Sequence, residues 1–292
     1  MTAPSRSIDE LRRDIDAIDD EMHDLLIRRV EIVEAIGALK KAAAGELYIR
    51  PAREAQILRR LVKRHKGRFP APVVVRIWRE MLAATSRLQG PFSVAVHAPE
   101  KSVGYWDMAR DHYGSATQTT LHRLANPVIR AVADGSATIG VLPEPRDGDD
   151  DPWWPKLLTA GETMPRVIAR LPFIDYDDGR FEELGALAIA LADQEPSGDD
   201  VSLVAVEASA GLSRTGLKEA FVAGGLPASD IATWSEDKAA ESHFHLVAFA
   251  DFVGPGDARL AAATAKLGEQ ITRIIGLGGY AAPIGRTQPA GG

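Results

Sequence analysis

Ten positions of the first forty residues, Ile8, Leu11, Ile15, Ile18, Met22, Leu25, Arg29, Ile32, Ile36 and Leu39, recur in alternating steps of three and four. That spacing draws a stripe along one side of an α-helix, and it predicts a helix from about residue 8 to residue 41. Ser7-Ile8-Asp9-Glu10 has the form of a capping box, in which the serine hydroxyl and the glutamate satisfy each other's backbone amides, so the helix should start at Ile8. At 1.5 Å per residue it would be roughly 50 Å long, more than a ninety-residue globule can cover by itself. The stripe needs a partner.

Ala42 to Tyr48 breaks the pattern at a glycine. Pro51 then opens a second helix at its favoured first-turn position, running to about Lys66. A third, from near Pro72 to Gln89, carries Val74, Trp78, Met81, Thr85 and Leu88 on one face and ends at Gly90-Pro91. One stripe position is an arginine. Alone, Arg29 would read as a snorkelling or register-setting residue of a coiled coil. Lys40, however, lies eleven residues on, about three turns, and projects from the same side. Arg53 and Glu54 occupy the first turn of the second helix, and Thr85 and Gln89 form an i, i+4 pair in the third. Polar residues facing inward on all three helices would each cost on the order of 1–3 kcal/mol if buried unpaired. They therefore predict a lined pocket with an anionic occupant.

The strings Leu11-Arg12-Arg13-Asp14-Ile15-Asp16-Ala17-Ile18-Asp19, Leu25-Leu26-Ile27-Arg28-Arg29, Ile36-Gly37-Ala38-Leu39-Lys40 and Arg50-Pro51-Ala52-Arg53-Glu54 resemble the all-helical chorismate mutase family over essentially all of residues 7–89. The resemblance implies a dimer with shared sites, chorismate as substrate and prephenate as product. It implies site roles for Arg12, Arg29, Lys40, Arg53, Glu54, Thr85 and Gln89, with Arg29, Lys40 and Gln89 closest to the chemistry. Arg50 departs from the acidic residue some members carry, while Thr85 keeps the hydroxyl of the usual serine. The spacing agrees with a shared site: Arg12 is seventeen residues from Arg29, about 25 Å along the helix, too far for both to grip one small molecule within one chain. A pericyclic rearrangement requires no nucleophile, metal or cofactor, and none is expected here.

Beyond residue 90 the expected class changes from all-α to α/β. Residues 92–98 and 138–142 read as buried strands, with a helical stretch from Pro127 to Asp134 between them. The segments around Val128-Ile129-Arg130 and Gly140-Val141-Leu142-Pro143-Glu144-Pro145, and the run Gln194 to Asp200, resemble prephenate dehydratase and its junction into an ACT domain. That family's Thr-Arg-Phe motif is missing from Phe181 to Ile189, which implies a degenerate, non-catalytic region. Residues 202–284 keep a βαββαβ rhythm: strand Ser202–Val206, helix Arg214–Ala223, strand Phe244–Phe252, helix Asp257–Ile275, then a glycine-rich end. This resembles an ACT domain whose amino-acid-binding signatures are replaced by Ala210-Gly211-Leu212 and Ala232-Thr233-Trp234-Ser235. The expected division is 1–90, a three-helix mutase domain; 91–199, a dehydratase-like remnant; and 200–292, an ACT-like domain.

His243 and His245 alternate on a strand without nearby acids or cysteines and read as an exposed face rather than metal ligands. Asp147 to Asp151 lacks calcium-loop spacing and reads as a solvated turn. Trp153 and Trp154 read as local packing. Residues 1–90 hold 18 Lys/Arg against 13 Asp/Glu, and the remainder 16 against 28. The basic half interleaves both signs along its helices, which argues against nucleic acid. The chain has no cysteine, no apolar segment at its start, and no run of roughly 18 apolar residues. The expectation is a cytoplasmic enzyme away from membranes. A bifunctional mutase-dehydratase and a non-catalytic regulatory partner of a shikimate-pathway enzyme remain as alternatives.

Overall fold

The computed structural model describes residues 6–41, 49–99, 104–158, 164–174, 181, 184–237 and 240–285. Its first part is three helices, α1 (Ile8–Lys41), α2 (Pro51–Arg64) and α3 (Ala71–Gln89). The capping box forms: Ser7 N donates to Glu10 Oε2 at 2.7 Å and Glu10 N donates to Ser7 Oγ at 3.2 Å. The break after α1, at Ala42 to Tyr48, lies outside the described residues. Pro51 sits in the first turn of α2 as expected. That helix stops at Arg64, short of Lys66, because His65 turns to an extended conformation while its amide still reaches Leu61 O.

The second part is β1 (Ser93–His97), α4 (Gly104–Tyr113), β2 (Gln118–His122), α5 (Ala125–Ala133), β3 (Ile139–Pro143), β4 (Arg166–Leu171) and β5 (Ala186–Ala190). A 3₁₀ turn at Trp154–Leu157 follows β3. The third part is β6 (Asp200–Ser209), α6 (Arg214–Ala223), β7 (Ala228–Trp234), β8 (Ser242–Phe249), α7 (Ala258–Leu267) and β9 (Ile271–Ala281). The nine strands of the described residues form one sheet in the order β2-β1-β3-β5-β4-β9-β6-β8-β7. β2, β1 and β3 run parallel, β5 is antiparallel to β3 and β4, and the last four strands are mutually antiparallel. The two halves of the sheet join where β4 pairs parallel to β9 at Val167 and Gly278. A Cβ at Gly278, whose φ is +95°, would strike the Val167 carbonyl, so only glycine allows this approach.

The βαββαβ rhythm is present, and three expectations for the α/β part need correction. β2 escapes a reading based on apolar runs because it is an edge strand, polar and largely exposed. The expected helix 257–275 ends at Leu267: Gly268 turns at φ +55°, and Ile271, Ile274 and Ile275 enter a strand that β6 pairs. β-branched residues suit that strand, although their spacing also matches a helix. His243 and His245 do not form an exposed face. β8 lies between β6 and β7, and His245 is buried on the side where Val247 and Phe249 pack with Leu217 and Phe221 of α6. Trp153 and Trp154 are buried in the core, and Trp153 Nε1 donates to Pro143 O at 2.8 Å.

The helices do not stand apart from the sheet. α2 lies along the junction before β6, where Arg50 pairs with Glu195 at 3.1 Å. Arg59 donates to Ser197 Oγ (3.0 Å), Asp199 O (2.6 Å) and Ala282 O (2.7 Å). α3 is tied to α4 and the turn after it through Arg76–Asp111 (2.8 Å), Glu80 to the Ser115 amide (2.9 Å), and Arg87 to Thr117 Oγ1 (2.8 Å). Ala55, Leu58 and Val75 share a small core with Phe173 and Ile174, which follow β4. Among the described residues no helix is long and apolar enough to cross a membrane.

Candidate active site in the three-helix part

α1 is continuous for 34 residues and leaves its apolar stripe uncovered: its isoleucines, leucines and Met22 are 43–75% exposed. Exposed stripes of that size mark interaction surfaces. The first candidate cation, Arg12, stands exposed near the start of α1 and touches only Asp9, at 3.4 Å, among the described residues. Arg29 differs. It is half-buried in the stripe, and its Nη1 is enclosed with no hydrogen-bond partner among the described residues. Burial draws its pKa down, yet a guanidinium stays charged in proteins. An enclosed cationic N–H with no acceptor among the described residues calls for one from elsewhere. The Lys40 side chain lies outside the described residues.

On α2, Arg53 is exposed and Glu54 is turned against α3. Arg79 Nη1 donates to Glu54 Oε2 at 2.7 Å, with side-chain exposures of 5% and 15%. Burial pushes the Glu54 carboxyl above the usual carboxylate range, and Arg79 opposes that shift. On α3, Thr85 is buried and donates back to Met81 O (3.1 Å) and Leu82 O (2.9 Å), closing its hydroxyl into its own helix. Gln89 lies where α1 crosses α3. A Cβ at Gly37 would stand 3.5 Å from Gln89 Cγ, and Gln89 Nε2 donates to Thr85 O at 3.4 Å.

The fold therefore brings Gln89 to α1 one turn before Lys40 and about two turns beyond Arg29. It leaves Arg12 at the far end of that helix and sets Glu54 beside Arg79 of α3. The motif reading missed Arg79. The only signal was an arginine amid the apolar residues of α3, and no local pattern links it to Glu54.

An enclosed guanidinium, an amide and a buried carboxylate on three helices, seated against a mixed sheet, define a helical domain suited to a small anionic ligand. Residues 11–90 match the family model for Chorismate mutase type II. The N-terminal part of the chain is a chorismate mutase type II domain. The chain is 30% identical over 137 residues to a bifunctional chorismate mutase/prephenate dehydratase of Pseudomonas aeruginosa, covering 46% of this chain and 37% of that one. It is 36% identical over 129 residues to the protein of the same name from Neisseria gonorrhoeae, covering 43% and 33%. The matched stretches thus span about a third of those relatives. They are longer than the ninety residues of the helical part and so extend into the α/β part. The prephenate dehydratase structure from Staphylococcus aureus is similar at a TM-score of 0.48 and 11% identity, over 65% of this chain and all of that one.

Proposed function

We propose that this chain is a chorismate mutase, converting chorismate to prephenate in phenylalanine and tyrosine biosynthesis, with a C-terminal region that does no chemistry. The enclosed Nη1 of Arg29, without a partner among the described residues, in a chorismate mutase type II domain is the observation that carries this reading. The rearrangement needs positioning and charge. Chorismate has two carboxylates; Arg29 takes one, and Arg12 of the partner subunit takes the other, holding the reactive chair. As the ether C–O bond breaks, negative charge grows on its oxygen, where Lys40 and the Gln89 amide donate. Glu54 accepts from the ring hydroxyl, while Arg53 and Thr85 support the wall.

The protein acts as a homodimer in the cytoplasm. The uncovered stripe of α1 supports the dimer, since a second copy of the same helix would bury it and carry each Arg12 to the other chain's site. The division at residues 90 and 199 belongs to the same reading. β5, which occupies the place of the dehydratase motif, is Ala-Leu-Ala-Ile-Ala and buried throughout. It offers no side chain to help a hydroxyl leave as an acid or hydrogen-bond donor must.

The test is incubation of the purified full chain with chorismate and identification of products. Prephenate alone is expected. Phenylpyruvate would establish the bifunctional reading, and unconsumed chorismate would leave the role of a non-catalytic partner.

A further inference from the structure

The pair formed by Glu54 and Arg79 joins α2 to α3 across 25 residues of sequence. The Arg79 guanidinium stands 5.1 Å over the ring of Phe173, a buried residue from the segment that follows β4 in the α/β part, and Arg59 approaches the same ring at 5.9 Å. A buried ion pair is a poor stabilising device, because desolvation of both charges consumes most of their attraction and apolar residues of similar volume serve as well. Its charges ask for another explanation. We propose that Arg79 is a positioning residue for the mutase reaction, fixing the Glu54 carboxylate toward the substrate's ring hydroxyl, and that Phe173 holds Arg79 in place. This rests on the chorismate mutase reading.

The geometry divides the carboxylate. Arg79 takes Oε2, and a carboxylate has a second oxygen with which to accept a hydrogen bond. Burial works against the charge of Glu54, and Arg79 supports it. Among the described residues, α4 presents His112, which burial holds well below the usual histidine range and so neutral, and Tyr113, whose hydroxyl burial pushes up and so stays protonated. The junction carboxylates Glu195 and Asp199 are taken up by Arg50 and Arg59, and Arg53 of α2 is exposed. The α/β part thereby gives the helical domain an aromatic support for a residue that touches the substrate only through Glu54.

The experiment follows the Glu54 carboxyl by ¹³C NMR titration of the full chain, with Glu54→Gln assigning its signal, alongside the pH dependence of kcat/KM for chorismate. Arg79→Gln should raise the pKa of Glu54 by at least about one unit. It should move the acidic limb of kcat/KM upward by the same amount, and Arg79→Lys should restore most of both. Phe173→Leu, which leaves the arginine in place, should shift both in the same direction by less. A role in folding alone would change the amount of folded protein and leave both titrations where they were, and that result overturns the proposal. If wild type does not consume chorismate, the mutase reading fails and takes the positioning role with it. If wild type turns over and Arg79→Gln keeps the same limb, the positioning role fails by itself.

Discussion

Gln89, at the end of α3, rests on Gly37 of α1: a Cβ added to Gly37 would meet Gln89 Cγ at 3.5 Å and Cδ at 3.9 Å. Those are ordinary contact distances, so a methyl group fits there and a longer side chain does not. Gly37→Ala should keep the mutase rate and stabilise the helix by about 0.5–1 kcal/mol, the usual difference within a helix. Gly37→Leu should displace Gln89 and lower kcat/KM by roughly 10- to 100-fold, a misplacement effect. Steady-state kinetics of the two variants checks both outcomes.

An amide at position 89 can donate to the ether oxygen at any pH, whereas a carboxyl donates only when protonated. The wild-type kcat should hold from neutral to mildly alkaline pH. In Gln89→Glu the optimum should move to lower pH, because a carboxylate repels the charge developing on the oxygen. Profiles of kcat against pH with the same shape for both proteins would remove Gln89 from the breaking bond.

Arg29→Ala and Lys40→Ala should each reduce kcat/KM by at least about 100-fold, the scale on which preorganised charge contacts act. Arg12→Ala should be similarly impaired. Mixing Arg12→Ala with Arg29→Ala chains should recover activity, since a mixed dimer contains one site with both arginines. No recovery, once subunit exchange is verified by mass, would place Arg12 outside the partner's site.

Arg59 bonds to four backbone or hydroxyl oxygens of the junction and the end of β9 while remaining largely covered. Arg59→Met keeps its apolar stem but leaves those acceptors unsatisfied. Hydrogen bonds to charged groups contribute about 1.5–3 kcal/mol each at most, and some acceptors will recover water, so a loss of roughly 2–4 kcal/mol is expected. Urea denaturation of the full chain measures it. A loss within about 0.5 kcal/mol, the range of ordinary surface substitutions, would mean that α2 is held by its apolar contacts alone.

His245 is buried, with Thr233 Oγ1 3.1 Å from its Nδ1, and its pKa is pushed down to about 4, first by burial and then by the nearby Arg214 and His243 charges. In the unfolded chain it takes a proton near the ordinary histidine value, about 6.5. The unfolded state thus binds more protons between those values. The stability tied to neutral His245 is complete above about pH 6.5 and is lost as pH falls toward about 4. His112 acts in the same direction. Thermal unfolding from pH 7 to pH 4 should show a shallower decline for His245→Gln than for wild type.

The turn at Asp147 shows where local reading ends. Its carboxylate accepts from Arg214 at 2.5 Å and from the Thr233 amide at 3.1 Å, so one residue of the solvated turn clamps α6 and β7. Those partners are 67 and 86 residues away, and no spacing in the sequence connects them. β2 was hidden for a related reason: only its neighbour β1 makes it a strand, and its own side chains carry no apolar alternation.

By itself the sequence determined α1 to its capping box and the apolar stripe that runs uncovered along it. It also determined the rhythm of the last hundred residues. These are consequences of contacts three or four residues apart in a helix, or two apart in a strand, which a chain cannot alter without changing its residues. Only the tertiary structure decided that Arg79 holds Glu54, that Phe173 supports Arg79, that Arg59 binds the junction, and that one sheet runs through both α/β parts. Those pairings depend on which elements the sheet order and the α2–α3 packing bring together, and charge or size at one position does not specify a partner many turns away.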